Sequence, residues 1–135
     1  MKATIFSMIA AGMMFAGNTW AVDMPATAKK LNCTACHTIE QRLVGPAWRD
    51  VSKAYNNVGA TGSVVNPAVY KVTNKVADVL AKNNAKTVDE WLLHKVSKGG
   101  SGDWGTMPMP ANDPSGAKEA DIKELVKFIL GLEKK

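Results

Sequence analysis

The sequence predicts an all-α fold. Apolar residues recur at helical spacing in several separate stretches, and no alternating apolar–polar run long enough for a strand lies among them. Gly- and Pro-rich segments divide those stretches. Of the 135 residues, 1–21 have the make-up of a targeting leader, which leaves 22–135 as one small domain.

Lys2 forms a short positive start, and Ala3 to Gly17 is apolar and uncharged. Asn18 ends that run, and Thr19-Trp20-Ala21 places small residues at a cleavage point after Ala21. The apolar run is short against the ~20 residues of a membrane span. Export to the periplasm is expected, with a membrane tether only if the leader is retained.

Pro25 sits where a first helical turn accepts proline, so a short helix is expected through Leu31. It runs into Cys33-Thr34-Ala35-Cys36-His37. Two thiols at this spacing followed at once by an imidazole form the attachment pattern of c-type haem. Each thiol adds to one porphyrin vinyl group, and the adjacent imidazole reaches the iron. A thioredoxin-like pair would follow a strand in a βαβ pattern, and none is readable. A zinc site wants four ligands, and the other histidine is the distant His94. A Cys33–Cys36 disulfide would close too small a loop to stabilise much. One covalently attached haem c, with its iron, is therefore the expected cofactor.

Gly45-Pro46 signals a turn, and Trp48, Val51 and Tyr55 fall at helical spacing after it. Asn56 to Asn66 reads as a polar loop. Pro67 opens another helix to about Ala81, with Val69, Val72, Val76, Val79 and Leu80 as a core-facing stripe. Asn83 and Asn84 break it. Thr87-Val88-Asp89-Glu90 reads as a cap ahead of Trp91, Leu92, Lys95 and Val96. Gly99-Gly100-Ser101-Gly102 ends that helix. Ser115, after Asp113-Pro114, is expected to cap the last helix, whose apolar face is Ile122, Leu125, Val126, Ile129 and Leu130. Lys134 and Lys135 complement the dipole at its end.

Between these helices, Trp104 to Asn112 has no helical period and holds Met107 and Met109 among prolines. A thioether is a soft partner for reduced iron and raises its potential relative to a second histidine. Met109, bracketed by Pro108 and Pro110, is the first choice for the second iron ligand, with Met107 as alternative. Either methionine can instead be core filler. His94, in a helical run, is a weaker rival.

The formal charge is +5 at pH 7. Loss of Lys2 leaves +4, and two ionised propionates reduce this to about +2. The lysines are scattered, without aromatic interleaving, which speaks against nucleic-acid binding. A basic face that docks a redox protein, with salt-sensitive association, is the natural use.

Together the haem motif near the start, Gly45-Pro46-Ala47, and Trp104-Gly105 through Pro108-Met109-Pro110 resemble class I cytochromes c, nearest the small bacterial cytochrome c-551/c-552 group. The likeness covers roughly 23–55 and 88–135. It implies an all-α fold wrapped around the haem, with terminal helices crossing. It implies His37 and Met109 as iron ligands and Cys33 and Cys36 as attachment points. It further implies that the Pro46 carbonyl orients His37, that Asn112 bonds near the methionine sulfur, and that Trp104 and Lys95 contact a propionate. Met107 falls where relatives carry a branched aliphatic residue. Ala28 stands where relatives often carry an aromatic, a difference Phe128 is expected to offset. The stretch 57–84 is longer than in the smallest relatives, so an extra helical insertion is expected there.

The expected function is a monomeric periplasmic electron carrier, not an enzyme. It would pass single electrons between a donor dehydrogenase or cytochrome and a terminal oxidase or reductase, touching protein partners at the haem edge. No small-molecule substrate is expected. A dedicated haem subunit of a dehydrogenase is the alternative. A peroxidase or gas sensor would leave an iron position open, which the methionine loop opposes.

Overall fold

The computed structural model describes residues 21–56 and 76–133. The leader, the loop after Asn56, the first part of the Pro67 helix with Val69 and Val72, and Lys134 and Lys135 lie outside the described residues.

Five helices are described: α1 Ala26–Lys30, α2 Trp48–Asn56, α3 Val76–Lys82, α4 Val88–Lys98 and α5 Glu119–Gly131. No strand occurs among the described residues; two isolated bridges, His37 with Arg42 and Gly100 with Met109, are the extended pairings. Pro25 stands at the N-cap of α1 with extended φ/ψ, consistent with its fixed ring. A 3-10 turn, Cys33–Ala35, carries the chain from α1 into His37. Thr87 accepts from the Glu90 N–H at 3.2 Å, while the Glu90 carboxylate accepts from the Lys86 N–H at 2.8 Å. These bonds satisfy donors at the start of α4, as its capping sequence predicts. α3 stops where Asn83 turns its amide back onto the Val79 carbonyl at 2.8 Å and Asn84 takes a left-handed φ of 51°.

α5 is the centre of the packing, touching α1, α2 and α4. Its expected apolar face, Ile122, Leu125, Val126, Ile129 and Leu130, is wholly buried. Trp48, Val51, Trp91, Leu92 and Val96 meet it from α2 and α4. Each such aliphatic burial is worth about 1.5–3 kcal/mol against the entropy of ordering.

The start of α5 differs from expectation. The helix begins at Glu119, and Ser115 does not cap it: its hydroxyl donates to Asp113 Oδ1 at 3.4 Å. Asp113, 2 % exposed, is the organising residue, accepting the Lys118 N–H at 2.8 Å. A buried polar group is tolerated when it is hydrogen-bonded in this way. Phe128 meets Trp48 edge-on at 6.1 Å, so its aromatic partner comes from α2. Ala28 is itself fully buried in α1.

Polar bonds tie the remote ends together. Ser52 Oγ donates to the Leu130 carbonyl at 3.1 Å and accepts the Glu133 N–H at 3.1 Å. The Asn56 amide donates to the same carbonyl at 2.7 Å. These bonds serve backbone groups that a helix end leaves unpaired. Arg49 clasps Glu40 with two nitrogens, and donates to the Leu132 carbonyl at 3.1 Å and to Glu133 at 3.0 Å. Lys30 pairs with Asp121 at 2.6 Å, joining α1 to α5.

Candidate haem site

The helices and the two irregular segments line one cleft that opens to solvent. Its apolar wall comes from Trp48, Val51, Leu92, Val96, Leu125 and Ile129. Cys33, Cys36, His37, Met107 and Met109 all line it, although the first and last are 76 residues apart in sequence.

The attachment segment is shaped by backbone bonds. His37 N–H donates to the Cys33 carbonyl at 3.0 Å, and Gly45 N–H to the Cys36 carbonyl at 2.8 Å. Cys33 and Cys36 are both free thiols, Cys33 buried and Cys36 part-buried. Burial raises the Cys33 pKa, and Cys36 nearby adds to the rise. The His37 Nδ1 lies 2.7 Å from the Pro46 carbonyl. A carbonyl only accepts, so the proton belongs on Nδ1, and the neutral ring keeps its lone pair on Nε2. Burial lowers the His37 pKa, with the Pro46 bond opposing, which favours the neutral, ligating form. Trp48 stacks on the ring at 6.0 Å. Gly45 approaches so closely that a Cβ there would lie 2.4 Å from His37 Cε1.

Met109 is held by a reciprocal backbone pair. Gly100 N–H donates to the Met109 carbonyl at 2.9 Å, and Met109 N–H to the Gly100 carbonyl at 3.0 Å. Gly99 adopts φ of 72°, and a Cβ there would strike the Met109 carbonyl at 2.3 Å, so glycine is required on both counts. Met109 is part-buried and packs on the core, whereas Met107 is 61 % exposed at the cleft rim. His94 is exposed, stacks on Trp91 at 6.3 Å and is not among the cleft-lining residues.

The outer residues divide. Pro46 makes the bond to His37 described above. Trp104 lines the cleft, with its ring 6.2 Å from that of Tyr55. Lys95 lines the cleft too, its ammonium bonded to Asp103 at 2.8 Å and to the Gly100 carbonyl at 2.9 Å. Asn112 is not among the lining residues; its amide donates to the Pro110 carbonyl at 3.2 Å and to the Val96 carbonyl at 3.4 Å. Sequence reading missed Gly45, Trp48 and Asp103. Gly45 carried a faint signal in its place before Pro46. A lone aspartate in a glycine-rich loop carries none.

Two free thiols, a neutral imidazole and a thioether around one apolar cleft are the donor chemistry that haem c requires. The fold and site define a monohaem c-type protein of the electron-carrying kind. The Cytochrome c family matches residues 25–133, and the chain belongs to that family. Cytochrome c-551 of Allochromatium vinosum is 36 % identical over 105 residues, which is 78 % of this chain and 81 % of that protein. Cytochrome c-552 of Hydrogenobacter thermophilus is 30 % identical, spanning 93 % of this chain and 96 % of the other. The crystal structure of Nitrosomonas europaea cytochrome c552 superposes with a TM-score of 0.51 at 32 % identity, covering 79 % of this chain and 96 % of that one. The expected all-α cytochrome fold, covalent haem c and iron follow from this membership.

Proposed function

We propose that the protein is exported to the periplasm and carries single electrons from a dehydrogenase or another cytochrome to a terminal oxidase or reductase. In this reading Cys33 and Cys36 would attach the haem, and His37 and Met109 would bind its iron. One observation carries it: the bonded, neutral His37 and the backbone-pinned Met109 line the same apolar cleft as both thiols. Bound haem supplies a one-electron iron couple.

The chain supplies the setting. Pro46, Trp48 and Gly45 fix the His37 ring, which keeps the ligand basic and oriented. The Gly100 pairing fixes Met109 through its backbone. The apolar walls from α4 and α5 make the cleft a low-polarity setting for the iron, which helps set the potential. With His37 and Met109 both held by the chain as iron ligands, the bound haem would offer small oxidants no open site, and the role would be transfer rather than catalysis. Partners are redox proteins that meet the cleft rim briefly, through a small interface.

The test is the near-infrared sulfur-to-iron band of the ferric protein. Met109→Ala should abolish it and lower the potential, while Met107→Ala should leave both in place. A band that survives Met109→Ala transfers the ligand role elsewhere.

A further inference from the structure

We propose that Lys95 and Asp103 form a clamp that holds the Gly100–Met109 pairing closed, making both positioning residues for Met109. This rests on Met109 as the axial ligand.

The Gly100 carbonyl has two lone pairs, and two donors reach it. Met109 N–H comes to 3.0 Å and the Lys95 ammonium to 2.9 Å. The same ammonium lies 2.8 Å from Asp103 Oδ2. One cation on α4 thus holds the loop at two points, three residues apart, and one of those points is the atom that pins Met109. Trp91 lies beneath it, 5.8 Å from the ammonium to the ring centroid.

Burial argues for a role beyond stability. The Lys95 and Asp103 side chains are only 13 % and 8 % exposed. Desolvation largely offsets the attraction of such a pair, so its net contribution to stability is small. Its geometric effect is not small. Gly99, Gly100, Gly102 and Gly105 all hold positive φ, at 72°, 111°, 97° and 117°. A segment so rich in glycine loses much backbone entropy when ordered. Charge-assisted bonds from a helix anchor it where side-chain packing does not. Two of the three Lys95 N–H groups are committed to this internal task, which leaves one for a further acceptor.

The test uses the ferric full-length holoprotein with two readouts. One is deuterium exchange at the Gly100 and Met109 amides. The other is the imidazole concentration that half-displaces the near-infrared band. In Lys95→Met both amides should exchange about tenfold faster, and the imidazole midpoint should fall about tenfold. Lys98→Met removes the same charge from the same helix, where it bonds the Pro114 carbonyl, and should change neither readout. If Lys95→Met fails to fold because Asp103 is left buried and unpaired, Lys95→Met/Asp103→Asn carries the test with the same expectation. An unchanged imidazole midpoint overturns the clamp, and so does an equal change in Lys98→Met. If the band survives Met109→Ala, the ligand reading has failed, and amide exchange alone then decides the clamp.

Discussion

Gly45→Ala is the sharpest perturbation the site offers. Gly45 does not hold one of the positive-φ conformations found at Gly99 and Gly100, so alanine meets no backbone penalty there. The whole effect is steric. The new Cβ would lie 2.4, 2.8 and 2.9 Å from three atoms of the His37 ring, where ordinary contact begins at 3.4 Å. The ring must retreat by about 1 Å, and Trp48 stacks on it at 6.0 Å. A shift of that size stretches the 2.7 Å bond to Pro46 toward the limit of hydrogen bonding. Overpacking costs about 1–3 kcal/mol and the bond about 1 more, for a loss of about 2–4 kcal/mol. For a domain near 100 residues this lowers Tm by roughly 10–20 °C. Thermal unfolding of the ferric holoprotein followed by circular dichroism measures it. The potential should rise as well, because the imidazole loses the acceptor that makes it electron-rich. A Tm within about 2 °C of wild type, with an unchanged potential, would refute the close-approach reasoning.

Ser52→Ala deprives the part-buried Glu133 N–H of its acceptor and leaves the Leu130 carbonyl with the Asn56 amide alone, and should cost about 1 kcal/mol in urea unfolding. Arg49 holds the Glu40 carboxyl below its usual pKa, so the stability it contributes is present at neutral pH and lost as pH falls through the lowered value. Glu40 is 58 % exposed, so Glu40→Gln should cost about 0.5 kcal/mol or less at pH 7, and the difference should vanish in acid; urea unfolding at both pH values checks it. Cys36→Ser should leave one thioether link and weaken haem retention under denaturing acid extraction. Full retention would contradict two-point attachment.

Much of the frame was legible because helices announce themselves by period. The α5 stripe is buried as its spacing demands, and the Thr87–Glu90 pattern caps α4. Cys33, Cys36 and His37 are neighbours in the chain, so their meeting at the cleft needs no tertiary information. Met109 was singled out by its prolines, although what pins it is a backbone pair to Gly100, nine residues away. The start of α5 was misjudged because serine caps by propensity, while the acceptor in place is the buried Asp113 carboxylate. Asp103 was invisible because its partner Lys95 belongs to another element, and pairing between elements leaves no local trace.

The Lys30–Asp121 contact joins residues 91 apart, and it closes the chain into one large ring. The entropy of closing such a ring grows only with the logarithm of its length, about 0.6 kcal/mol for each doubling. Lengthening the connection between α2 and α3 is therefore thermodynamically cheap. That stretch is where a lineage can try out new sequence while the metal-bearing ends stay as they are.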